Sequence, residues 1–95
     1  MAKRGELKPM DAFEEDVRQN AVHYNITLFI PGSSTRLKES KPTLDEAIAE
    51  SKVLLQDNAR ARSAMVYAVN EDERFAMVGS VDRSGKWKPV VAKRY

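Results

Sequence analysis

The chain has 95 residues, of which 42% are hydrophobic and 32% charged, and its net charge is +2. This composition is ordinary for a small globular protein, so we expect residues 10–95 to form one domain behind a flexible basic tail at residues 1–9. The absence of cysteine excludes disulfides, thiolate metal sites and cysteine nucleophiles. No signal-peptide pattern and no apolar run long enough to span a bilayer is visible, so we expect a cytoplasmic protein without membrane contact.

The first predicted element is a short helix over residues 9–20. Phe13 and Val17 are spaced as on one helical face, and Asp11 with Glu14 resembles a capping box. We interpret the acidic residues of this segment as a solvated helix face and not as a metal site.

The clearest strand covers residues 21–30, because apolar and polar side chains alternate along it. The apolar set should face the main helix, and it consists of Val22, Tyr24, Ile26, Leu28 and Ile30. Pro31 and Gly32 begin a turn, after which residues 35–40 are polar enough to predict an edge strand or an extended loop.

The main helix is predicted from Thr43 to Asn58. Thr43 and Glu46 form a capping box, and Pro42 disfavours helix before it. Asn58 is expected to end the helix, because asparagine tolerates the left-handed conformation. Apolar and small residues at helical spacing predict one buried face, which consists of Leu44, Ala47, Ile48, Ser51, Leu54 and Leu55.

The rest of the chain is predicted to form a three-strand meander. Its strands cover residues 63–69, 74–81 and 86–93, and its turns cover residues 70–73 and 82–85. Gly79 indicates a bulge or a close approach of another chain segment. Pro89 predicts that the last strand lies at an edge of the sheet or is bulged there.

These elements predict an α+β fold with a small, mainly antiparallel sheet of four to five strands. The order is a strand or hairpin, the helix, and then the three-strand meander, with one main helix packed on one face. The other face should be open unless the N-terminal segment or a second copy of the chain covers it.

A strand, a glycine turn, a polar segment and then the run from Thr43 to Ile48 resemble small β-β-α elements. HicB-like antitoxins and the arm-binding domains of phage integrases have a similar helix entry. The similarity covers Ile26 to Leu55, and it implies no functional residue for this chain.

The sequence contains no recognisable catalytic or cofactor site. His23 is the only histidine, and it lies at an alternating strand position. Glycine-rich nucleotide loops, the G-x-S-x-G nucleophile motif and calcium-loop spacing are absent. We therefore expect no cofactor, no metal and no enzymatic activity; a small enzyme with an unrecognised site is a further alternative.

The leading hypothesis is a non-catalytic regulatory or accessory module that docks on a protein partner, or on its own copy as a homodimer, through an open sheet face or edge. The aromatic residues Phe29, Trp87 and Tyr95 would be its anchors. The alternative is nucleic-acid binding by a basic C-terminal strand, with Arg60 and Arg62 as further phosphate contacts. The lysines of that strand would otherwise serve to protect an edge from pairing with another chain. The predicted partner-binding residues are Phe29, Arg83, Lys86, Trp87, Lys88, Lys93, Arg94 and Tyr95.

Overall fold

A computed structural model of the chain describes residues 9–32 and 36–90. Within them the chain forms, in order, helix α1 (Pro9–Gln19), strands β1 (His23–Phe29) and β2 (Arg36–Lys41), helix α2 (Leu44–Asp57), and strands β3 (Ser63–Val69), β4 (Phe75–Asp82) and β5 (Trp87–Pro89). The strands form one antiparallel sheet in the order β2-β1-β3-β4-β5. The predicted α+β class is therefore confirmed, with α2 packed against the sheet. The predicted basic tail, up to Lys8, lies outside the described residues.

Helix α2 begins at the predicted cap. The Thr43 hydroxyl accepts a hydrogen bond from the Glu46 amide at 3.2 Å and donates one to the Glu46 carboxylate at 3.1 Å, so the carboxylate binds the hydroxyl and not the Thr43 amide. Asn58 ends the helix as predicted, but not in the left-handed conformation, since its φ is −126°. Its side-chain amide instead donates to the Leu54 carbonyl at 2.8 Å, which satisfies one of the carbonyls exposed at the helix end.

The hydrophobic core lies between α2 and one face of the sheet. Ile26 and Leu28 of β1 are fully buried there, as their alternation predicts. Leu55 of α2 is buried, whereas Leu44 and Ile48 are half-buried at the border of the core. The remaining buried core residues are mostly small and allow close approach of the helix to the sheet: Ala47, Ala61, Ala64, Val66 and Val81.

Helix α1 packs against β4 and β3. Val17 is 1% exposed at this contact, and the Arg18 guanidinium donates from Nε to the Met77 carbonyl at 2.8 Å. Among the described residues the helix runs from Pro9 to Gln19, so Asp11 lies inside it and the predicted cap at Asp11 is wrong.

A β-bulge lies between β3 and β4. Val66 pairs with Gly79 and Tyr67 pairs with Met77, so Val78 is the extra residue. Gly79 is also a point of close approach, because a Cβ atom there would lie 2.6 Å from the Lys88 carbonyl oxygen and 2.6 Å from the Trp87 ring. Both features that Gly79 suggests in the sequence are therefore present.

Both edges of the described sheet carry polar strands. Strand β5 has three residues and includes Pro89, and β2 reads Arg-Leu-Lys-Glu-Ser-Lys. The edge positions predicted for these two segments are confirmed. Within residues 9–32 and 36–90, neither helix is long and apolar enough to cross a membrane.

The hairpin between β4 and β5 is held by Asp82. Its Oδ1 accepts hydrogen bonds from the Ser84 amide at 3.0 Å, the Ser84 hydroxyl and the Lys86 amide at 3.1 Å. The bond from the Ser84 hydroxyl, followed by the Lys86 amide, lowers the pKa of Asp82 to about 2. Gly85 completes the turn with a φ of 86°, which glycine adopts without strain.

We expect acid to loosen this hairpin. Since the pKa of Asp82 is about 2 in the folded chain and ordinarily 3.8, the ionised carboxylate stabilises the fold above about pH 4 and loses this effect as the pH falls toward 2. The difference in thermal unfolding midpoint between the natural chain and Asp82→Asn should therefore shrink between about pH 5 and pH 2. An NMR titration of the Asp82 carboxyl in the folded chain with a midpoint near the ordinary value would contradict this assignment.

Candidate functional site

The side chains of the sheet that point away from α2 are a mixture of polar and apolar residues. The strand register aligns Thr27 with Met65, Ser80 and Lys88 across four strands, and Phe29 with Ser63. We call this region the open face, and it consists of Thr27, Phe29, Ser63, Met65, Ser80 and Lys88.

Phe29 gives the open face an exposed aromatic side chain. It is 44% exposed at the end of β1, and Met65 on the neighbouring strand is half-buried. At the far side, the Lys88 ammonium lies 3.5 Å from the Asp82 carboxylate. An aromatic and a methionine side chain bordered by hydroxyls and an ion pair match the composition of protein interfaces, where aromatic anchors lie inside a polar rim.

The structure separates Trp87 from the lysine beside it. Adjacent strand residues point to opposite faces of a sheet, so Trp87 packs against the core on the α2 side while Lys88 lies on the open face. Lys86 is exposed in the turn before β5. Among the predicted partner-binding residues, Phe29 and Lys88 therefore share a surface, and Trp87 has a packing role. The predicted residues Lys93, Arg94 and Tyr95 lie outside the described residues.

Arg83 has a structural role that the sequence analysis missed. Its Nη1 donates to the carbonyls of Leu55, Asn58 and Ala61 at 2.7, 3.0 and 3.0 Å. These carbonyls lie at the end of α2 and in the following loop, where the helix dipole is negative. The last turn of α2 contains no basic residue of its own. This is the one feature of the sequence that indicates that a basic side chain from another element would be favourable at this helix end.

Basic side chains gather around Arg83 at this end of the sheet. Arg83 lines an open depression of about 410 Å³ together with Arg60 and Arg62, and an adjoining one of about 290 Å³ together with Lys52. We call these four residues, Lys52, Arg60, Arg62 and Arg83, the arginine track. All four are exposed.

The opposite end of the sheet is acidic. Asp16 of α1 and Glu71 and Asp72 of the β3–β4 turn line a depression of about 280 Å³. Asn70 organises this turn by accepting hydrogen bonds from the Asp72 and Arg74 amides, both at 3.0 Å. The acids predicted to lie in a solvated turn are therefore at the surface, next to the end of α1.

The described residues contain no side-chain grouping of the kind that holds a metal ion. Between residues 9 and 32 and between 36 and 90, no three histidine, aspartate or glutamate side chains lie in an arrangement that could hold a metal ion. His23 is half-buried at the start of β1, opposite Val69.

No protein-family model, curated protein or solved structure matches the chain. The open face and the arginine track are therefore the candidate functional surfaces.

Proposed function

We propose that this chain is a non-catalytic binding module of the cytoplasm that docks on a protein through the open face, in a regulatory or accessory role. The observation that supports this most is Phe29, which is 44% exposed on the face of the sheet opposite α2. A large exposed aromatic side chain on a rigid strand loses little conformational entropy on binding, so it can serve as an anchor.

The surroundings of Phe29 favour a protein partner. Thr27, Ser63 and Ser80 offer hydroxyls at the same face, and Met65 adapts to the shape of an apolar partner. The Lys88–Asp82 ion pair borders the face and would contribute to orientation more than to affinity. The partner is a different protein or another copy of the chain. Sedimentation detects self-association, and capture from a lysate detects a different protein.

Phe29→Ser should weaken the complex by about 30-fold, the effect of losing an anchor worth about 2 kcal/mol. Sedimentation of the purified full chain measures binding to its own copy. For a different protein, capture from a nuclease-treated host lysate identifies the partner, and titration of that purified partner measures the affinity.

Phe75→Ser is the matched control, because Phe75 is 67% exposed but packs edge to face on Tyr67 outside the open face. The control should bind as the natural chain does. Equal affinities for Phe29→Ser and the natural chain would refute the proposal, as would a complex that nuclease destroys. The alternative partner, nucleic acid, is favoured by a different surface, the arginine track.

A further inference from the structure

We infer that the arginine track is a second binding site, which takes the phosphodiester backbone of a nucleic acid without reading its bases. The inference rests on other side chains than the docking proposal, although the two surfaces adjoin where the Arg62 amide donates to the Phe29 carbonyl. It keeps Arg60, Arg62 and Arg83, which the sequence suggests as phosphate contacts, adds Lys52, and leaves out the lysines of the C-terminal strand.

Arg83 is the fixed centre of the track. Its three hydrogen bonds all use Nη1 and hold the guanidinium in place. Nε and Nη2 of Arg83 donate no hydrogen bond to residues 9–32 and 36–90. These two groups therefore form a planar pair of donors for an incoming oxygen anion. The same three bonds cover the carbonyls that would otherwise repel an anion at the end of α2.

The loop that carries Arg60 and Arg62 is held on both sides. The Arg62 amide donates to the Phe29 carbonyl at 2.8 Å, and the Ala61 amide donates to the Asn58 carbonyl at 3.0 Å. Ala61 itself is fully buried. The two arginines therefore extend from a fixed backbone into solvent. Among the described residues that line the larger depression, none is acidic.

The arrangement suits a chain of phosphates better than one isolated phosphate. Because both depressions share Arg83, positive charge continues from Lys52 on α2 to Arg62 before β3. Asp82 lines the smaller depression, but its carboxylate is occupied by the Ser84 and Lys86 amides and by Lys88. No aromatic side chain of the described residues lines either depression, so bases would have no surface to stack on and binding should be independent of sequence.

The test is the salt dependence of binding by the full chain to labelled mixed-sequence DNA, single-stranded and duplex, measured by fluorescence anisotropy between about 50 and 200 mM salt. Arg60→Gln and Arg62→Gln should each flatten the slope of log affinity against log salt by about 0.7 to 0.9, which weakens binding about five- to eight-fold at about 0.1 M salt. Arg83 is left in place because of its structural bonds.

Lys41→Gln is the control, because it removes one positive charge at the other end of the sheet. It should leave the slope unchanged, and Arg60→Lys with Arg62→Lys should retain it. Equal effects of Lys41→Gln and the arginine variants would overturn the site, since net charge alone would explain the binding. Binding to anionic vesicles or to a phosphopeptide that needs the arginines, without binding to either DNA, would overturn the choice of ligand. Unchanged thermal midpoints would exclude misfolding of the variants.

Discussion

Gly79→Ala should lower the free energy of unfolding by about 2–3 kcal/mol, although it adds a single methyl group. The new Cβ atom would lie 2.6 Å from two obstacles, the Lys88 carbonyl oxygen and the Trp87 ring. The ring can rotate away, but the carbonyl belongs to the strand that pairs with Gly79 and cannot move without breaking that pairing. Urea unfolding followed by circular dichroism measures the loss.

Two further variants separate the causes of this loss. Gly85→Ala meets no atom within 4 Å but forces a φ of 86°, so it should cost about 1–2 kcal/mol for conformation alone. Gly79→Ala should cost less in a Trp87→Leu background than in the natural chain, because one obstacle, the ring, is removed while the carbonyl remains. A loss below about 0.5 kcal/mol for Gly79→Ala would show that β5 is not held against β4 at this distance.

Arg83→Met should cost about 2 kcal/mol, because three carbonyls lose a charged donor and the end of α2 loses its compensating charge. The side chain is exposed, so water replaces some of these bonds and keeps the loss below that of a buried group. Amide hydrogen exchange should accelerate in the last turn of α2, while the first turn, capped by Thr43, keeps its rate.

Arg83→Lys should restore the charge but not all three bonds, since an ammonium group lacks the planar fork of a guanidinium. We therefore expect its stability to lie between those of Arg83→Met and the natural chain. If the methionine and lysine variants unfold at the same urea concentration, the charge at the helix end contributes nothing. If the methionine variant equals the natural chain, the three hydrogen bonds do not form in solution.

The elements that the sequence predicts well are those with local signals. The capping box at Thr43, the alternation of Ile26 and Leu28, and Pro89 at the edge each depend on neighbours within a few residues. Gly79 is informative for the same reason, because a glycine inside a strand is costly unless a backbone or side chain needs the space. Predictions from such signals hold in the folded chain, because these residues constrain the local backbone conformation directly.

The features that the sequence does not predict depend on distant contacts. The bonds of Arg83 join residues 22 to 28 positions apart, so its role appears once the β4–β5 turn and the end of α2 are placed together. The assignment of Trp87 and Lys88 to opposite faces requires the register of β5 on β4. Neighbouring residues of a strand point to opposite faces of the sheet, so basic residues that are close in the sequence do not form one surface. The predicted basic C-terminal strand is therefore not one continuous basic surface in the described residues.

The two oppositely charged ends of the sheet make the molecule an electric dipole along its strands. Asp16, Glu71 and Asp72 lie at one pole, and Arg60 and Arg62 at the other. In the field of a polyanion such a dipole experiences a torque that turns the positive pole forward before contact. Salt would then slow the encounter of the chain with the polyanion, because it screens this torque as well as the attraction. A net charge of +2 without such a separation of charge would give only weak steering.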